Sequence, residues 1–439
     1  MNFRDKVRNI YRFIEDNLYF NRPDMEIKGE RYISSLLFSL LTCLNQGKEL
    51  IIGEPGLGKT TSAEYVSSLV YQYPLAVIWS SEVHGHPEQT EEKIIGRPDL
   101  GDLNKGTENV VWSGFAQLPV KIVDEINRLP ETKQSMILDG VDRGKWEYLN
   151  DIILNKEYCL FATANYQDKG TNTIIAPLID RFDVMVESKH PGPSLSFLIG
   201  EVKKEDLLRC VHHEKEILDL LKSKIPYEDK LSNIEKICKK YGDYLQKHAG
   251  IETVSKEDRR DIRKEINKEN FDLDASAFII MVIAELSFCY KYGQKRSNED
   301  CDEGCHYTGY LCHGIRNCAS NRLPTSIKHY AQALSWFVGS EEVDIEHVRA
   351  VIPHAIAHRI QWKEEHILQR EKDTRCDPLP IYLAKEATDD LLRRYNEQKE
   401  EIKTALALGF RILNGEDIKP VEGDHPLYAE IRNDLGLRF

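Results

Sequence analysis

Gly53-Glu54-Pro55-Gly56-Leu57-Gly58-Lys59-Thr60 is the stretch that decides the fold. The residues before it, Glu49-Leu50-Ile51-Ile52, read as a short buried strand. After it, Ala63, Val66, Leu69, Val70 and Tyr73 recur as one stripe of a helix. Strand, glycine loop and helix form the context that a phosphate-binding loop needs. The glycines let the backbone turn tightly enough for successive N–H groups to face a phosphate chain, and the helix adds the positive end of its dipole. Lys59 would neutralise β- and γ-phosphates, the Thr60 hydroxyl would ligate Mg²⁺, and Thr61 would complete the nucleotide-binding run. A glycine-rich turn that fits by accident would need no such flanks.

About 65 residues further on, the apolar run Val120-Lys121-Ile122-Val123 ends in Asp124-Glu125. An aspartate at a strand's end can hold Mg²⁺ through its water shell, and an adjacent glutamate can polarise an attacking water. Having both acids favours hydrolysis over mere holding. No guanine-reading [NT]-K-x-D run is present, which favours ATP. Phe161-Ala162-Thr163-Ala164-Asn165 is a strand ending in an amide. Asn165 either bonds the γ-phosphate or its water, or caps a turn. Arg181 is either a surface arginine paired with Asp180 or Asp183, or a finger for a neighbour's nucleotide. Arg322, just before Pro324 and its helix, either reaches the nucleotide or is exposed at a helix start.

Beyond these motifs, apolar spacing predicts helices over 1–28 and 30–45, and Leu75-Ala76-Val77-Ile78-Trp79 reads as a strand. Residues 81–118 look like an elaborated loop region with short elements, and strands are expected at 145–149, at 158–164 after a polar turn, and at 183–186. Strands alternating with helices imply a parallel sheet covered by helices. After Pro191-Gly192-Pro193 nearly everything reads helical, ending in a charged long helix or helical pair over 381–413.

The 439 residues carry 59 basic and 72 acidic side chains, a net charge of −13 that argues against a broad nucleic-acid footprint. No signal peptide or membrane span is read, and ten cysteines without a secretory signal suggest reduced thiols or metal ligands in a cytoplasmic protein. His84-Gly85-His86 could be a metal pair, but two histidines without a carboxylate or cysteine nearby more often sit in solvent. Cys301, Cys305, Cys312 and Cys318, with His306 and His313 among them, have the spacing C-x3-C-x6-C-x5-C. They could hold a structural Zn²⁺, an iron–sulfur cluster or nothing.

Residues 53–60, Asp124-Glu125-Ile126-Asn127-Arg128 with Pro130 and Lys133-Gln134-Ser135, 161–165 and Ile179-Asp180-Arg181-Phe182 together resemble the MoxR family of AAA+ ATPases. So do Asn321-Arg322-Leu323-Pro324, residues 343–348 and Ala357-His358-Arg359. The resemblance implies an AAA+ α/β parallel-sheet P-loop NTPase core at 29–190, after an N-terminal helix at 1–28. An all-helical lid domain at 191–363 would contain the cysteine-rich insertion 301–318, and a helical C-terminal extension would fill 364–439. It further implies Walker A at Lys59, Walker B at Asp124 and Glu125, sensor 1 at Asn165, a trans-acting finger at Arg181 and sensor 2 at Arg322. Segments 81–118 and 144–157 would be the helix-2 insert and pre-sensor hairpin, facing a ring's pore. Such proteins are usually hexamers acting as chaperone-like remodelling ATPases, often beside partners with von Willebrand factor A domains. The chain departs from the pattern in Tyr166, which replaces the usual proline, in extra residues between about 200 and 270, in the four cysteines, and in the extension. Two other readings stay open: a nucleic-acid-directed AAA+ motor and a non-hydrolysing, nucleotide-gated scaffold.

Overall fold

A computed structural model describes residues 2–155, 157–165, 174–201, 205–292, 294–295, 305–370, 378–418 and 421–436. The chain divides into two compact units, Met1–Lys268 with Trp336–Ser340, and Glu269–Ser335 with Glu341–Phe439. Residues 191–268 thus belong to the same unit as the glycine loop.

The first unit is built on five parallel strands: β1 (Lys48–Ile52), β2 (Glu82–His84), β3 (Val120–Asp124), β4 (Cys159–Ala164) and β5 (Val184–Glu187). Their spatial order is β5-β1-β4-β3-β2, so β1 lies inside the sheet, between β5 and β4. This is the parallel sheet with covering helices that the alternation of elements predicts. Every residue of β4 is buried, which is why it reads as a continuous apolar run rather than an alternating one. Register does the positioning. Ile52 pairs with Ala164 and Ala162 with Val123, so Gly53, Asn165 and Asp124 emerge together at the carboxyl edge.

The helix α1 (Phe3–Asn17) buries Val7, Ile10, Tyr11 and Ile14, and Asn2 caps it by accepting from the Asp5 N–H at 2.7 Å. The next helix, α2 (Ser34–Asn45), is shorter than the expected 30–45, because residues 30–32 pair with 25–27 in a hairpin. After α3 (Lys59–Tyr71) comes a plain correction: Leu75-Ala76-Val77-Ile78-Trp79 forms a helix, α4 (Leu75–Trp79), not a strand. Pro74 starts its first turn, where a missing N–H costs nothing, and the Ser80 and Ser81 hydroxyls bond the carbonyls of Val77 and Ile78. The edge strand is β2 instead, one of the short elements inside the elaborated loop region 81–118. A helix α5 (Glu131–Arg143) leads to a hairpin of Lys145–Tyr148 with Asp151–Leu154; the expected polar turn includes its second strand.

Lys121, in the middle of β3, is fully buried. Its ammonium donates to the carbonyls of Phe115, Ala116 and Leu118, among the rings of Phe115, Trp146 and Tyr158. Burial pushes it down to about 7. Lys121→Met is expected to destabilise the protein by about 2–3 kcal/mol, because the Phe115 and Ala116 carbonyls lose this donor, while that of Leu118 keeps Asn155 Nδ2, and the loss outweighs relief of charge burial. The shift of the urea midpoint measures it; an unchanged or higher midpoint would contradict this account.

In the second unit, Leu273–Ser287 packs on the long helix Leu379–Leu413, so the charged stretch read as a long helix or a helical pair is one helix. Glu285 and Arg394 form a buried two-point pair between them at 2.6 and 2.9 Å. Among the described residues no helix is long and apolar enough to cross a membrane.

Candidate active site

The glycine loop starts where β1 ends. Gly53 has φ 154°, and a Cβ there would lie 2.8 Å from the Ser188 carbonyl, so only glycine fits this close approach. Gly58, at φ 72°, turns the chain into α3, whose first residue is Lys59. Lys59 Nζ donates to the carbonyls of Gly53 and Glu54, both at 2.9 Å, and to Asn165 Oδ1 at 2.7 Å. Burial lowers its pKa, while the charges of Asp124, Glu125 and Glu54 oppose that shift.

Asp124 Oδ1 accepts two hydroxyls, from Thr60 at 3.0 Å and from Thr163 at 2.7 Å. Thr163 Oγ1 in turn accepts the Glu125 N–H at 2.8 Å. Glu125 adopts a left-handed backbone, φ 53° and ψ 51°, an uncommon conformation for a side-chain-bearing residue. Its carboxylate is held from both sides. Asn165 Nδ2 donates to Oε1 at 2.8 Å, and Arg128 Nη1 lies 3.0 Å from Oε2. Asn165 therefore joins the lysine to the glutamate rather than capping a turn.

These groups line a cavity of about 910 Å³ shared by residues 55–61, Asp124, Glu125 and Asn165. Residues 17–21, from the last residue of α1 onward, form another wall with His190, Pro191 and two residues, Ser196 and Ile199, of α6 (Pro193–Glu201). Its volume is in the upper range of small-molecule sites. A hydroxyl at the start of the P-loop helix and a carboxylate at the end of β3 are the hard oxygen donors that Mg²⁺ takes, so Thr60 and Asp124 fit that ion.

The other expected residues fall elsewhere. Arg181 is outside the cavity lining; its Nε donates to Asp142 Oδ1 and its Nη1 to the Pro177 carbonyl, each at 2.8 Å. Neither Asp180 nor Asp183 supplies those two bonds. Arg322, which belongs to the second unit, opens the helix Arg322–Val338. Cys301 and Tyr166 lie outside the described residues. Among the described residues, Cys305, Cys312 and Cys318 belong to no converging group of three metal-ligand side chains.

Sequence reasoning missed Thr163, although it shares a strand face with Asn165 at the two-residue period. It missed the two supports of the loop: Ser188 donates to the Leu57 carbonyl at 2.7 Å and lies 3.1 Å from the Tyr19 hydroxyl. It also missed Glu82 beside Asp124, whose carboxyl is pushed up to about 7 by burial and then by the Asp124 charge.

Residues 49–182 match the AAA domain of the dynein-related subfamily. The protein carries an AAA+ ATPase domain and is an ATP hydrolase. The fold is similar to that of a candidate ATPase from Cytophaga hutchinsonii, at 17% identity and a TM-score of 0.59, covering 89% of this chain and 94% of the other. A full-length MCM homologue from Methanopyrus kandleri aligns at 12% identity and a TM-score of 0.40 over 79% of this chain and 58% of the other, too distant to carry argument. No curated protein matches the sequence.

Proposed function

We propose that the protein is a MoxR-type AAA+ ATPase of the cytoplasm, working as a homo-hexamer that hydrolyses ATP at subunit interfaces and remodels or assembles protein clients. One observation carries the client half of this reading. Two hairpin insertions in the α/β unit present apolar side chains to solvent: Leu100 and Leu103 between Gly96–Pro98 and Val110–Trp112, and Leu149, Ile152 and Leu154 in the second. Exposed apolar side chains suit gripping a polypeptide, and the net charge of −13 disfavours a nucleic-acid track. A partner with a von Willebrand factor A domain is part of the proposal by resemblance alone, and the four-cysteine zinc by spacing alone.

In this mechanism the N–H groups of residues 56–60 and the Lys59 ammonium bind the phosphate chain. Thr60 and Asp124 would hold Mg²⁺, which when bound neutralises charge on the phosphates. Glu125 takes the proton of the attacking water, and Asn165 orients the glutamate and the γ-phosphate end. Arg181 leaves Asp142 to serve the neighbouring subunit's site.

The test mixes two dead variants. Turnover per subunit should rise with protein concentration. An equal mixture of Glu125→Gln and Arg181→Ala should recover up to about a quarter of wild-type activity, since that share of random interfaces joins an intact Glu125 to an intact Arg181. Activity per subunit that stays flat, with no recovery on mixing, would remove Arg181 as a trans finger and leave a self-contained ATPase.

A further inference from the structure

The strand β2 contributes nothing to the nucleotide chemistry above, yet it places two ligand-type side chains beside Asp124. Alternation along a strand puts Glu82 and His84 on one face, and parallel pairing sets His84 next to Asp124. The Gly85 N–H donates to the Asp124 carbonyl at 2.7 Å, and a Cβ on Gly85 would come within 2.0 Å of the Glu125 carbonyl. Glycine there lets the two strand ends approach this closely.

The side chains converge without bonding. His84 Nδ1 lies 3.6 Å from Glu82 Oε1 and 3.6 Å from Asp124 Oδ2, and the three ligand atoms are all within 4.8 Å of one another. That is too long for a hydrogen bond. It is close to the separation of about 3.3–3.5 Å between two ligands of one tetrahedral ion with bonds near 2.0–2.2 Å. Glu82 is the informative member. Its side chain is only 7% exposed and makes no hydrogen bond among the described residues, so a buried carboxylate faces the gap without a donor. A buried carboxylate normally has such a partner. His84, 74% exposed, closes the solvent side. The expectation of a solvent histidine pair is thus half right: His84 is exposed, but two carboxylates stand next to it.

We propose that Glu82, His84 and Asp124 form a three-ligand site for a divalent first-row transition ion of the zinc class. An imidazole with two carboxylates selects such an ion over Mg²⁺, which takes oxygen ligands only. Asp124 is shared. Its Oδ1 faces the Thr60 and Thr163 hydroxyls, and its Oδ2 faces His84. An ion here withdraws charge from the carboxylate that serves the P-loop, so occupancy slows ATP turnover.

The probe is Co²⁺, titrated into the full-length, nucleotide-free protein with Mg²⁺ in excess and followed by its visible d–d bands. Nitrogen and oxygen ligation lacks the sulfur-to-cobalt charge-transfer band of thiolate sites, which separates this site from the cysteines. The set His212, His213 and Glu216, on the helix Val211–Lys222, is unchanged in every variant and cancels in the comparison. Wild type should show a Co²⁺ signal that His84→Ala lacks, that Glu82→Gln weakens about 10-fold or more, and that His86→Ala keeps. A His84→Ala protein that binds Co²⁺ with the wild-type spectrum and affinity would overturn the proposal. So would a wild type with no nitrogen- and oxygen-ligated Co²⁺.

Discussion

Glu125→Gln should bind ATP with near wild-type affinity and turn it over on the order of 100-fold or more slowly, the usual loss when a general base is removed. The amide keeps the side chain's volume and can still accept from Asn165 Nδ2, so the site keeps its shape. What disappears is the proton acceptor and the charge opposite Arg128. The backbone matters too, because a left-handed turn at residue 125 aims the side chain, and glutamine tolerates that conformation no worse than glutamate. A fluorescent-nucleotide titration measures binding and phosphate release measures turnover. Appreciable turnover in this variant would take the base away from Glu125.

Lys59→Ala is expected to fail one step earlier. Its ammonium is the cation at the floor of the cavity, and its loss should weaken ATP binding on the order of 100- to 1,000-fold, about 3–4 kcal/mol. Folding should tolerate the change. Burial already works against the charged form, and Asn165, one of the three acceptors left behind, lines a cavity that water can fill. Melting temperature and nucleotide affinity, measured side by side, separate the two effects. An affinity within threefold of wild type would mean that the loop's N–H groups alone bind the phosphates.

The sheet and the glycine loop were legible because both leave one-dimensional signatures: buried parallel strands as apolar runs, and the loop as glycines at fixed offsets. Leu75-Ala76-Val77-Ile78-Trp79 misled for the same reason. A five-residue apolar run has no period that separates a buried strand from a buried helical turn, and Pro74 was the only local punctuation. Nothing along Glu82-Val83-His84 announces a strand, since its pairing is supplied by β3 across the sheet. The same limit hid Ser188 and Tyr19, which reach the loop from far along the chain. Asn165 was read with two alternatives, and only strand register puts it between Lys59 and Glu125. For Arg181, sequence offered two neighbouring aspartates, whereas folding brings in Asp142 from α5.

The bonds made by β4 give it a mechanical meaning. Thr163 grips Asp124 and the Glu125 amide, and Asn165, two residues on, grips the Glu125 carboxylate and Lys59. One strand thus carries four tethers to the groups that sense phosphate and the groups that cleave it. A lateral slip of β4 by an ångström stretches all four at once. In the cycle proposed above, a change at the γ-phosphate end would therefore reach Lys59, Asp124 and Glu125 together, as a latch does, through one strand.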